Sequence, residues 1–469
     1  MAIQKPTLPK GTRDFGPLDL QKRKSIIKNI EDVFKKYGFM PLETPAMENL
    51  STLEGKYGEE GDKLLYRILN SGNFLQSYKD STDYTNAIDN IEGKDIVKYI
   101  AEKGLRYDLT VPFARYVVMN RSQLVFPFKR YQIQPVWRAD RPQKGRYREF
   151  WQCDADIVGS ESLINELDLI SIYHDVFTQL KINYELRVNN RKILAGIAEV
   201  VKSIDYITTI AVAIDKLDKI GEEGVRKELA ESAFTESELN TLFEIIKSKG
   251  NNQFILENLK DKLKTSETGT KGVEELSFLL QNIENCNRAT NNAVNLKLDF
   301  SLARGLSYYT GCIFEVTALD SSLMSSIGGG GRYDNLTENF GLPNVSGVGI
   351  SFGLDRIYDV MEELNLFSAS IRTTQSKILC CFFDEKSQEY CLPAVTKLRA
   401  VGIAAEIYPD VNRKKAIVKQ LDYANALQIP FAAIAGENEI NQNVFTLKNL
   451  LTGEQNTLKL DDIIQMLKE

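Results

Sequence analysis

Residues 130–159, RYQIQPVWRADRPQKGRYREFWQCDADIVG, constrain the fold more than any other stretch of this chain. They read as two β-strands joined by a long basic loop. Period-2 alternation puts Gln132, Gln134 and Arg138 on one face of the first strand. On the second, Arg148, Phe150, Gln152, Asp154 and Asp156 share a face. A core strand sets aliphatic residues against polar ones; this hairpin gathers guanidinium, amide, aromatic and carboxylate groups together. In the loop, Arg141, Lys144 and Arg146 crowd around Pro142 and Gly145, against Asp140 and Glu149. Charge runs usually mark a solvated surface. The patterned polar face argues for a ligand instead. Arginine forks fit the planar oxygens of phosphate and carboxylate, and an aromatic on the same face can stack a base. The expectation is a floor for a nucleotide triphosphate.

The rest of the chain narrows the chemistry by exclusion. At 469 residues it has room for two to four domains. It has no run of 18 or more apolar residues, and its start, MAIQKPTLPK, lacks a signal-peptide core. No membrane span is expected, and the expected compartment is the cytoplasm. The 6 cysteines are scattered without a CxxC pair, so neither a disulfide framework nor a zinc site is expected. A net charge of −6 argues against a general polyanion binder, but local basic surfaces still permit a nucleic-acid partner. His174 is the only histidine and sits in a helical stretch, where it reads as structural. Ser-His-Asp hydrolysis and multi-histidine metal chemistry therefore lack material.

Taken in order, the chain opens with an amphipathic helix over residues 20–37, ended by Gly38 and followed by the extended FMPLETP. Residues 66–74 read as a strand. In LRYDLTVP, Asp108 and Thr110 are placed one residue apart on one strand face, before Pro112. On the residues alone they read as a strand end capped by polar groups. Residues 205–290 turn to short charged helices, with a capping-box spacing at Thr235 and Glu238, and read as a helical insertion. Val294, Leu296, Leu298 and Phe300 then alternate as a strand, after which come Arg304, Gly305, Tyr308 and Tyr309. Gly328–Gly331 permit close backbone approach. The later GxGxxxG at Gly347, Gly349 and Gly353 misses the dinucleotide spacing, and no P-loop occurs. Residues 366–375 read as a linker. Beyond them, strands alternate with helices, as in a mostly parallel α/β domain. Its second helix opens on Asn412, Arg413, Lys414 and Lys415, a helix start with cations suited to phosphate or base edges.

These motifs, in this order and over nearly the whole chain, resemble the class II aminoacyl-tRNA synthetases, and within them the histidyl-tRNA synthetase family. RPQKGRYREF is similar to motif 2. The run Arg304-Gly305-Leu306-Ser307-Tyr308-Tyr309 resembles the family's Arg-Gly-Leu-Asp-Tyr-Tyr signature, with Ser307 where the family often has Asp. Gly353-Leu354-Asp355-Arg356 resembles motif 3, and the first helix with its strand resembles motif 1.

The resemblance implies an α+β architecture. An antiparallel class II catalytic sheet would be flanked by helices and interrupted by the helical insertion, with a C-terminal α/β anticodon-binding domain. The boundaries drawn are 1–204 and 291–366 for the two parts of the core, 205–290 for the insertion and 376–469 for the anticodon domain. It implies an ATP-dependent ligase that joins L-histidine to its cognate tRNA through a histidyl-adenylate, with Mg2+ on the ATP phosphates and a homodimer through motif 1. Arg304 and Arg138 would be catalytic. Asp108, Thr110, Arg138, Gln152, Asp156, Arg304, Tyr308 and Tyr309 would bind histidine. Arg138, Arg148, Phe150 and Arg356 would bind ATP. Arg141, Gln143 and Lys144 would meet the tRNA acceptor end, and Arg413, Lys414 and Lys415 the anticodon arm. No metal ligand among the side chains is implied. The alternative is a catalytically inactive synthetase-like regulatory or tRNA-sensing protein.

Overall fold

The computed structural model describes residues 5–80, 93–248, 250–290, 293–303, 308–323, 326–410 and 416–468. Arg304 and Ser307 of the signature, and Arg413, Lys414 and Lys415, lie outside the described residues. The chain divides into two compact units, one of residues 1–13 and 25–366, the other of residues 14–24 and 367–469. The sequence reading put residues 14–24 in the core; here they group with the C-terminal residues.

The first unit is built on an eight-stranded sheet. Its strands are β1 (Met40–Pro41), β5 (Phe128–Trp137), β6 (Glu149–Val158), β7 (Tyr184–Asn190), β8 (Leu296–Leu298), β9 (Cys312–Ala318), β10 (Gly328–Tyr333) and β11 (Gly347–Gly353). They lie in the order β1-β5-β6-β11-β10-β9-β7-β8. The six central strands are antiparallel, and β1 and β8 add parallel edges. A small sheet of β2 (Met47–Asn49), β3 (Arg67–Ile68) and β4 (Lys103–Leu105) stands apart from it.

The two faces of the large sheet are chemically opposite. On one, Phe352 of β11 meets Phe34 at 5.9 Å, Tyr173 at 4.8 Å and Phe177 at 5.5 Å between ring centroids. These rings come from the helices Pro17–Lys36 and Ile164–Gln179, whose apolar stripes close over the sheet. Burying one such phenylalanine contributes about 1.5–3 kcal/mol. The odd residues of β6, Cys153, Ala155 and Ile157, are buried. Its even residues turn their polar groups to the other face, as the alternation predicts.

Three local expectations change. The strand expected over 66–74 shrinks to Arg67–Ile68. Thr110 is not on a strand: it opens the helix Thr110–Met119, with Pro112 in the first turn, where its missing N–H costs nothing. The C-terminal sheet, ordered β13-β12-β14-β15-β16, is only half parallel. Its strands are β12 (Ile378–Phe382), β13 (Ala405–Ile407), β14 (Phe431–Ala435), β15 (Phe445–Asn449) and β16 (Gln455–Leu458). The connection Glu437–Gln442 is one short helix, too short for a parallel crossover, so β14, β15 and β16 run antiparallel. The expected insertion is helical, and its capping box forms: Glu238 N–H donates to Thr235 Oγ1 at 3.3 Å.

Candidate active site

The hairpin register decides what the polar face holds. Gln134 stands opposite Gln152, Gln132 opposite Asp154 and Arg130 opposite Asp156. Across β6, Asp154 faces Ser351 and Asp156 faces Gly349. The strands thus lay amides, carboxylates and a guanidinium in rows. Above them opens a cavity of about 270 Å³, walled by Arg138, Phe150, Gln152, Tyr309, Glu315, Ser351 and Arg356 among others.

At one end the polar groups are buried and already bonded. Asp108 Oδ1 accepts from the Tyr57 hydroxyl and from Val111 N–H, both at 3.1 Å, and its Oδ2 accepts from Tyr308 at 3.3 Å. Burial raises its pKa against those bonds and against the pull of Arg138. Beside it, Tyr333 donates to Asp156 Oδ1 at 2.5 Å. Asp156 Oδ2 lies 2.8 Å from Arg130 Nη2, an ion pair without hydrogen-bond alignment. Arg130 is wholly buried, over the Phe113 ring at 4.3 Å. Burial raises the phenol of Tyr309, and the charge of Asp156 adds to the rise.

At the other end the cations are open to the cavity. Arg138 lies over the Tyr107 ring at 4.1 Å and the Phe150 ring at 5.2 Å, and its Nε donates to Tyr107 O at 3.0 Å. Arg356 donates from Nε to Gly145 O at 2.8 Å and from Nη1 to Ser326 O at 2.6 Å. Burial and the neighbouring Arg138 and Arg146 lower its pKa. Gln152 Nε2 donates to Ser351 Oγ at 3.0 Å, while its buried Oε1 has no hydrogen-bond partner.

The structure therefore brings Arg138, Phe150, Gln152, Tyr309 and Arg356 to one cavity, and bonds Tyr308 to the buried Asp108, while Asp108 and Asp156 lie behind its wall rather than on it. Thr110 begins the adjoining helix. Arg148 is placed elsewhere: Nε donates to Asp140 O at 3.0 Å and Nη1 to Lys10 O at 3.4 Å, away from the cavity wall. It precedes β6, so the strand alternation that assigned its face does not reach it. Arg141, Gln143 and Lys144 are exposed on the loop, where Lys144 pairs with Glu363 at 3.4 Å. Sequence reasoning missed Tyr57, Arg130 and Tyr333. Extending the period-2 face one step back from Gln132 finds Arg130; Tyr57 and Tyr333 reach their partners only through tertiary folding.

The histidyl-tRNA synthetase family matches residues 98–357, and an anticodon binding domain matches residues 371–469. The histidine–tRNA ligase of Cytophaga hutchinsonii is 53% identical to this chain, over 99% of it and 100% of that protein. That of Porphyromonas gingivalis is 53% identical over 98% of each. The chain belongs to the histidyl-tRNA synthetase family. A solved histidyl-tRNA synthetase from Nostoc sp. PCC 7120 is 27% identical and superposes with a TM-score of 0.80, covering 99% of both chains. The family match spans every described residue of the cavity wall named above. The anticodon-binding match lies within the second unit. No helix of the described residues is long and apolar enough to cross a membrane.

Proposed function

We propose that this chain ligates L-histidine to its tRNA at this cavity, in two steps. The carboxylate of histidine attacks the α-phosphorus of ATP, forming histidyl-adenylate as pyrophosphate leaves. The 3′-terminal adenosine hydroxyl of the tRNA then takes the histidyl group as AMP leaves. Attack at phosphorus needs positioning and charge stabilisation more than a protein nucleophile, which agrees with a chain of one histidine, His174. That residue is spent elsewhere, bonded to the Tyr184 hydroxyl at 2.7 Å.

The observation that carries the reading is the position of Arg138. It lines the cavity with the Phe150 ring 5.2 Å from its guanidinium, and its Nε is fixed on Tyr107 O, next in the chain to buried Asp108. A cation there can meet both the α-phosphate and the incoming carboxylate. Arg304, by its place in the signature, would share that work. Phe150 would stack adenine, and Arg356 would hold the distal phosphates. Asp108, with Tyr308 and Thr110, would hold the ammonium of histidine. Gln152 would bind substrate polar groups, and Asp156 with Tyr309 would read the imidazole nitrogens. A site built to bond ring N–H groups rejects amino acids that lack them, because its own polar atoms are then left unpaired. The described residues offer no grouping of three or more His, Cys, Asp or Glu that could hold a metal. Mg2+ would therefore be held chiefly by the ATP phosphates, whose charge it neutralises. Arg141, Gln143 and Lys144 would meet the tRNA acceptor end, and Arg413, Lys414 and Lys415 the anticodon arm. A homodimer would form through the motif 1 region, where Met40 on the sheet's edge strand and Met47 are exposed.

ATP–pyrophosphate exchange measured with each amino acid tests the reading. Exchange should depend on histidine; exchange driven by another amino acid overturns the reading in favour of a sister synthetase, and no exchange returns the inactive regulator. Replacing Arg413, Lys414 and Lys415 together by alanine should leave exchange intact and cut tRNA charging.

A further inference from the structure

The N-terminal segment before the first helix has no part in the reading above, yet it is fastened to the motif 2 loop along its length. Arg148 N–H donates to Gly11 O at 2.9 Å. Gly11 has φ +89°, and a Cβ there would lie 2.8 Å from Arg148 Cγ and 2.9 Å from Pro142 Cγ. Only glycine lets the segment lie this close to the loop. Two residues on, the Arg13 guanidinium stacks over the Tyr147 ring at 3.5 Å. It also pairs with Asp355, and with Asp359 at 3.5 Å, on the helix Leu354–Glu363. Tyr147 closes the circuit by donating its hydroxyl to Asp359 Oδ2 at 2.7 Å. Asp355 Oδ2 accepts the Trp151 N–H at 2.8 Å, where the loop becomes β6.

Tyr147 and Asp355 both line the cavity, as does Arg356 next to Asp355. Arg13 does not. It touches the loop with one face of its guanidinium and the motif 3 helix with its N–H groups. This geometry suits arginine, which stacks and bonds in a fork at the same time; lysine, a compact point charge, can pair with a carboxylate but has no planar group to stack.

We propose that Arg13 is a positioning residue for the nucleotide: it ties loop 139–148 to the helix carrying Arg356 and so fixes the mouth through which the ATP phosphates enter. This rests on the adenylation reading above. Besides Arg13, the loop is held on this side by the Tyr147 hydroxyl on Asp359, by Arg356 to Gly145 O and by Lys144 to Glu363, an exposed pair of small worth.

The test uses the full chain with Arg13→Gln, Arg13→Lys and Tyr147→Phe. In histidine-dependent exchange, Arg13→Gln should raise the KM for ATP by about tenfold while the KM for histidine stays within about twofold, because the displaced wall faces the phosphates. Arg13→Lys should recover only part of the loss, and Arg13→Gln with Tyr147→Phe should lose less than the sum of the two. Limited trypsin digestion of the ligand-free chain reads the tether without activity: cleavage after Lys144 and Arg146 should quicken about fivefold or more in Arg13→Gln, at unchanged melting temperature. Equal shifts in both KM values, or loop cleavage at the parent rate, would overturn the proposal. If the parent shows no exchange, the adenylation reading fails, and the digestion still decides whether Arg13 holds the loop.

Discussion

The two ends of the cavity are made by opposite means. At the buried end, Asp108 takes three hydrogen bonds from the protein, and Asp156 one bond and an ion pair. Asp108 is left with little polar capacity unspent, whereas Asp156 Oδ2 and the Arg130 Nε and Nη1 beside it have no hydrogen-bond partner among the described residues; an unpaired buried polar atom costs about 1–3 kcal/mol. At the open end, Arg138 and Arg356 rest on backbone carbonyls. Those are neutral acceptors, whereas a phosphate brings its own charge and can accept two parallel bonds from one guanidinium. One end is thus set before substrate arrives, and the other is held in a form that substrate can displace. Selectivity belongs where nothing needs to move; charge neutralisation belongs where something must.

The contrast is broken most directly at Arg138, which serves both ends. Arg138→Ala should lower single-turnover adenylate formation by roughly 10²–10³-fold, the range for losing one transition-state charge contact. Binding of both substrates should weaken as well. If only ATP binding suffers, Arg138 belongs to the open end alone.

Asp108→Ala isolates the buried end. Its loss strands the Tyr57, Tyr308 and Val111 donors, so stability should fall by about 1–3 kcal/mol, and the KM for histidine should rise about 10–100-fold. Chemical denaturation and exchange kinetics measure the two, and an equal rise in the KM for ATP would erase the distinction drawn here. Arg356→Gln is the counterpart. Its carbonyl bonds are replaceable, so stability should change by less than about 1 kcal/mol, while the KM for ATP rises about tenfold.

The last test concerns Asp154, which faces Ser351 across β6 and β11. Burial, with Asp156 adding to it and Arg130 opposing, pushes its pKa from 3.8 up to about 7. The folded state therefore holds a proton that the unfolded chain releases near pH 4. That contribution to stability is fully present below pH 4 and is lost as pH rises through about 7. Asp154→Asn should flatten the decline between those values, as followed by denaturant midpoints. An unchanged slope would place the titration elsewhere.

Much of the site was legible because strand geometry is periodic. Reading Gln152 and Asp156 onto one face, with Gln134 on the partner strand, required only the alternation and the loop, and the register pairs them as that face demands. The same rule failed where the backbone stopped being a strand, at Arg148 before β6 and at Thr110 on a helix start. What the sequence hides is distance. Tyr333 and Asp156 are 177 residues apart, Arg13 and Asp355 342, and no local pattern links such pairs. The C-terminal hairpin was missed for a different reason: an apolar run such as PFAAIAG looks alike in parallel and antiparallel sheets.

Two glycines of β11 carry a consequence for how the sheet behind the cavity tolerates change. A Cβ on Gly349 would fall 2.0 Å from Asp156 Oδ1, and one on Gly347 would fall 2.4 Å from the Tyr333 ring. Each polar side chain occupies the void that its facing glycine leaves, so the two positions form one inherited unit. A change at the glycine alone evicts the polar group, and a change at the polar group alone opens a hole with a bare backbone floor. Either single change therefore disturbs both partners, and a backbone wall has no rotamers with which to absorb it. The shape of that sheet is therefore protected by the absence of atoms, a form of conservatism that no list of contacts records.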